Sequence, residues 1–216
     1  MAAPPSARAH GSSRPRAAGR PERGFTLLDV LLVIVLLGIV AAALTTISSR
    51  LSAQTSETLK TRQALAFAQG LLDEVRHMPF TYCDPNDARA RLATGAFLGG
   101  TGCASIVDAM GPEPGETRYN PANRFDSVSD YQGFAMPGPG CPGGLCNLNG
   151  AVLNAAGPLM GCSVLVTLAA QALPGVAALD ANARPQTLRI VVTLTCPGRP
   201  PVYAEGLRVR HAPNQI

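Results

Sequence analysis

The side chains able to do chemistry in this sequence are few, and most of them are cysteines. Cys83, Cys103, Cys141, Cys146, Cys162 and Cys196 all lie C-terminal to a long apolar run. An even number of cysteines placed in this way suggests disulfide bonding in an oxidising compartment, with many possible pairings. Cys162 with Cys196 and Cys141 with Cys146 are two candidate pairs. Cys141-Pro-Gly-Gly-Leu-Cys146 resembles half a zinc site, but no second pair at zinc spacing and no nearby histidine follows it. Asp126, Ser127, Ser129 and Asp130 offer oxygen ligands to a hard cation, yet the spacing lacks the glycine and terminal glutamate of an EF-hand loop. No metal and no cofactor is expected. Catalysis finds no foothold either. The histidines are His10, His77 and His211, the sole lysine is Lys60, and no HExxH, GxSxG or P-loop pattern occurs.

The remaining chemistry is concentrated near the N-terminus. Gly24-Phe25-Thr26-Leu27-Leu28-Asp29 opens an apolar run in which residues 30–49 carry no charge. About 20 apolar residues suffice to cross a bilayer core. A carboxylate at the head of such a run is costly, so Asp29 is expected to be paired or functional. The charge pattern supplies an orientation. Residues 1–24 hold Arg8, Arg14, Arg16, Arg20 and Arg23 against Glu22 alone, leaving 13 basic and 13 acidic side chains in the rest. The net charge of +4 therefore belongs to the leader. Positive flanks stay cytoplasmic, which places everything after the apolar run outside the cytoplasm. A neutral remainder gives no basic surface for nucleic acid.

The arginine-rich leader, Arg23-Gly24-Phe25-Thr26-Leu27 and one acid four residues after Phe25 together resemble the signal of type IV prepilins and pseudopilins. The resemblance implies cleavage after Gly24 and N-methylation of Phe25 by a prepilin peptidase/methyltransferase. It also implies assembly with other pilin subunits on an inner-membrane platform. The family has glutamate where this chain has Asp29, and that acid is thought to pair with the amino terminus of a neighbouring subunit. The alternative is a carboxylate that only complements the helix dipole. Residues 64–75 are similar to the second helical half of minor pilins. Arg124-Phe-Asp-Ser-Val-Ser-Asp-Tyr-Gln-Gly133 is similar to a segment of the D-type minor pilins of mannose-sensitive haemagglutinin (MSHA) pili. The expected function is a minor type IV pilin of that kind, not an enzyme. It would be anchored once in the bacterial inner membrane with a periplasmic head, and then built into a filament. One alternative is a minor pseudopilin of type II secretion. Another is a secreted binding protein cut by signal peptidase near Ala43, since Ala41-Ala-Ala43 fits that enzyme's pattern.

These residues need a long helix and a small head to position them. No proline interrupts residues 25–78, and Leu51, Thr55, Thr58, Arg62, Leu65, Ala68, Leu72 and Val75 recur at helical steps. Pro79 marks the stop. Residues 79–160 are dense in Gly, Pro, Asn and Asp and read as loops stapled by cysteines. Residues 162–168, 187–196 and 202–210 read as strands, with Gly206 a candidate bulge or break. The expected class is α+β, a pilin fold in which the long helix packs on a C-terminal antiparallel sheet. Its parts are a leader (1–24), a transmembrane or filament-core helix (25–48), an amphipathic helix (49–78), a loop region (79–160) and a sheet head (161–216).

Overall fold

The computed structural model describes residues 24–153 and 157–210. The leader arginines, His10 and His211 lie outside the described residues. Helix α1 spans Leu27–His77, followed by β1 (Ala135–Met136), β2 (Ser163–Ala170), β3 (Thr187–Thr195) and β4 (Val202–Val209). A single 3-10 turn at Ser129–Tyr131 precedes β1. The strands form one antiparallel sheet in the order β1-β2-β3-β4, so the chain has the α+β architecture expected of it. Contacts divide the chain into two compact units that meet at Leu51 and Ser52.

In the first unit, α1 exposes every side chain from Leu27 to Leu51. Its best 18-residue window has a mean hydropathy of 3.0, long and apolar enough to cross a membrane by length and composition. A helix apolar on all sides needs a non-aqueous surrounding, either lipid or other helices.

The second unit holds the core. Ala64, Ala68, Leu71, Leu72 and Val75 are the buried face of α1 there. Leu65, expected on that face, is exposed, because Ala64 and Leu71 define a stripe rotated away from it. Strand residues alternate as a half-buried sheet requires. Val164, Val166 and Leu168 of β2, Leu188, Ile190, Val192 and Leu194 of β3, and Ala204 of β4 face inward. Gly206 is neither bulge nor break: it pairs with Ile190 in an uninterrupted register. Its role is contact with the helix. A Cβ there would lie 2.9 Å from Arg76 Cδ and 3.2 Å from Leu72 Cδ1. The helix ends where Pro79 forbids another turn, and the Arg208 guanidinium donates to the Met78 carbonyl at 3.1 Å.

The loop region adds to this core instead of lying over it. Phe125, Val128, Tyr131, Met136 and Leu145 are buried with the helix and sheet. Phe125 meets Tyr131 edge-on at 5.0 Å and Phe134 at 5.8 Å. Three disulfides staple the unit: Cys83–Cys103, Cys141–Cys146 and Cys162–Cys196. The first lies in a satellite cluster with Ala90 and Ala93. An ion pair joins the loops to α1. Arg118 donates to both oxygens of Glu74, each at 2.7 Å, and the Tyr131 hydroxyl donates to Glu74 Oε1 at 2.6 Å. Burial alone would lower the Arg118 guanidinium, but the Glu74 carboxylate outweighs it and raises it above its usual range.

Candidate functional site

The start of α1 is built by two short polar side chains. Thr26 precedes the first helical residue, and its hydroxyl accepts from the Asp29 N–H at 3.3 Å. Asp29 Oδ2 in return accepts from the Thr26 N–H at 3.1 Å and the Thr26 hydroxyl at 2.8 Å. This is a reciprocal capping box with aspartate in place of the usual glutamate. It satisfies N–H groups that an open helix end leaves without partners, which matters most where no water can reach them. The spacing Thr26-x-x-Asp29 was the sequence signal for it. All the local donors use Oδ2, and Oδ1 accepts no hydrogen bond among the described residues.

Three polar side chains farther along are also bonded within the helix. The hydroxyls of Thr45 and Thr46 donate to the Ala42 carbonyl, and that of Ser49 to the Thr46 carbonyl, each at 2.9 Å. Such bonds let hydroxyls face an apolar medium without an unpaired donor. Before the helix the chain is open. Phe25 is 89% exposed, and a Cβ added to Gly24 would meet nothing within 4 Å. The fold itself places no demand for glycine at that position, so any such demand comes from a molecule that approaches it.

Residues 19–45 match the prokaryotic N-terminal methylation motif. The match takes in Gly24, Phe25, the capping box and most of the exposed apolar helix. It supports a type IV pilin-like prepilin, a pilin or pseudopilin processed by prepilin peptidase and assembled with other pilins. Members of that family are structural subunits, and the long apolar helix is compatible with membrane anchoring. No curated protein and no solved structure matches the chain.

In the second unit the residues singled out as oxygen ligands separate into two sets. The hydroxyls of Ser127 and Ser129 turn to the buried Asp108 carboxylate, while Asp126 and Asp130 join acids from elsewhere. Oxygens of Asp84, Glu116 and Asp126 lie within 4.8 Å of one another, and so do oxygens of Glu113, Glu116 and Asp130. Sequence reading missed this group, because its members are scattered from residue 84 to residue 130 with no fixed spacing. Burial, then the neighbouring carboxylates, push Asp126 up to about 7. Burial also heads the causes that raise Glu113 to about 8 and Glu116 to about 7. Asp87 next to them behaves oppositely. Burial would raise it, but N–H donors from Ile106, Ala104, Ser105 and Arg89 outweigh that and hold its carboxyl far below the usual range. His77 makes only a helix-end contact, its Nδ1 lying 2.6 Å from the Asp73 carbonyl oxygen.

Proposed function

We propose that this chain is a minor type IV pilin, cut after Gly24 and N-methylated at Phe25, that enters or primes a filament through residues 25–50. The observation that carries the reading is a candidate cut site set directly before a capped helix whose apolar first part, Leu27 to Leu51, exposes every side chain. Cleavage there leaves the anchor on the mature subunit, whereas cleavage after Ala43 would discard it. The stapled second unit is the head, outside the cytoplasm by the leader's charge. Residues 124–133 support an MSHA-like minor subunit, since that segment is similar to the D-type minor pilins of those pili.

Asp29 serves two purposes in this reading. Oδ2 holds the capping box, and Oδ1 is left to accept the amino group of a neighbouring subunit. Capping and pairing therefore do not compete for the same oxygen. Asp29→Asn separates them, because an amide oxygen still caps but carries no charge. The variant is expected to be cleaved normally and to be depleted from purified filaments; equal incorporation of Asp29→Asn and wild type would refute the pairing. The mass of the mature N-terminus tests the whole proposal. A methylated Phe25 start is expected, and a start at Leu44 would overturn it. Gly24→Leu should accumulate as uncut precursor.

A further inference from the structure

The segments between α1 and β2 bring together five carboxylates that no basic group neutralises. Glu116 belongs to both triads described above, and Asp84, Glu116 and Asp130 are only 1%, 8% and 1% exposed. Among the described residues none of the five takes part in an ion pair. Their donors are Asn86 N–H to Asp84 Oδ1 at 2.7 Å, Asn86 Nδ2 to Asp126 Oδ2 at 2.6 Å, Glu113 N–H to Glu116 Oε2 at 3.3 Å, and, to Asp130, the Asp126 and Ser127 N–H groups and the Ser127 hydroxyl.

A second observation points to something between them. Asp126 Oδ1 and Glu113 Oε2 are sealed from solvent and accept no hydrogen bond among the described residues. Asp108, only 4% exposed, likewise leaves Oδ2 without a partner. Ser127 Oγ links it to the group, lying 3.2 Å from Asp108 Oδ1 and 3.1 Å from Asp130 Oδ1. Enclosed carboxylate oxygens without donors are among the most costly groups a fold can bury. A cation satisfies them and cancels their mutual repulsion at once.

We propose that these carboxylates form a calcium site centred on Glu116. The donor set is oxygen only, which suits a hard cation and disfavours zinc or copper. Calcium–oxygen distances of about 2.4 Å put ligands on opposite sides of one ion about 4.8 Å apart, so oxygens that all lie within 4.8 Å of one another are close enough to share one ion. Ligands drawn from separate loops suit the flexible geometry of calcium better than the tight octahedron of magnesium. Bound there, the ion ties residue 84 to residues 113–116 and 126–130, and so closes a turn-rich region across its own length. The proposal departs from the expectation of no metal and does not depend on how the N-terminus is processed.

The test uses the full chain in detergent micelles, with disulfides oxidised and metal removed by a chelator. Calcium chloride is titrated calorimetrically, and head unfolding is followed by near-ultraviolet circular dichroism. Binding with a Kd at or below about 1 mM, the range of extracellular calcium modules, and a higher Tm are expected. Magnesium should bind at least ten-fold more weakly, and Glu116→Gln should abolish the calcium effect. Asp126→Asn, at a part-exposed position, should weaken binding at least ten-fold and serves if Glu116→Gln fails to fold. No heat and no Tm shift up to about 10 mM calcium, ten times the weakest such affinity, would overturn the site. So would equal binding of magnesium, or wild-type affinity in the folded variants.

Discussion

Removing the carboxylate of Glu74 is the sharpest test of how the second unit is held together. In the folded chain Arg118 is 6% exposed and Glu74 18% exposed at the side chain, so the pair is largely withdrawn from water. In Glu74→Ala the guanidinium keeps its bond to the Cys146 carbonyl at 3.2 Å and the rings of Tyr119 and Phe134 at 5.6 and 5.7 Å, but no carboxylate, and the Tyr131 hydroxyl loses its acceptor. Breaking a buried pair by deleting one partner costs about 3–5 kcal/mol. The orphaned phenol adds about 1 kcal/mol. The sum is a large share of the roughly 5–15 kcal/mol that holds a domain together. At about 2–4 °C per kcal/mol for a chain of this size, the Tm of the head should fall by roughly 10–20 °C. Near-ultraviolet circular dichroism in detergent reads this, because it follows the packed tyrosines and not the helical signal of the apolar segment. Urea midpoints at constant slope supply the free energy. The double variant Glu74→Ala/Arg118→Ala should be much less damaged than the two single losses added together, since the stranded charge is gone. A loss below about 1 kcal/mol, typical of exposed pairs, or a coupling near zero would refute the argument.

Three further outcomes follow from the same structure. Asp87 has a depressed folded-state pKa, so its contribution is present in full above about pH 4 and is lost as pH falls below that; wild type should exceed Asp87→Asn in urea midpoint at pH 7, and the gap should narrow at pH 3. Replacing Cys162 and Cys196 with serine opens a loop of separation 34, worth about 4 kcal/mol of chain entropy, whereas the separation of 5 for Cys141 and Cys146 is worth about 2 kcal/mol; the Cys162/Cys196 variant should have the lower Tm of the two. Gly206→Val forces a side chain against Arg76 and Leu72 and should cost about 1–3 kcal/mol, measured by urea unfolding, while leaving the β3–β4 register intact.

Much of the architecture was legible because it rests on local rules. The helix stop at Pro79 and the three main strands follow from proline geometry and β-branched runs, and their observed bounds lie within two residues of those expected. The buried stripe of α1 was less legible. A period of three and four residues admits several rotations, and only the strands choose Ala64 and Leu71 over Leu65. Strand β1 escaped notice because two residues show no period. Gly206 was read as a defect because, in sequence, a glycine cannot reveal that a helix crosses it. At the N-terminus the residues themselves carried the cut-site signal, whereas the capping box went unread although Thr26-x-x-Asp29 has its spacing. The acidic group was not readable, since its members come together only after the loops fold.

The order of the chain has a consequence for how the protein is made. The helical face that ends at Val75 is synthesised first, but Gly206 and Arg208, which close over it, come 130 residues or so later. At roughly 5–20 residues per second, that face waits on the order of ten seconds before the last strand of the sheet can close over it. Until that last strand is added, β3, the strand between β2 and β4, keeps a raw edge open to wrong pairing. A transcript that stops before the codons of β4 yields a head whose sheet lacks its last strand.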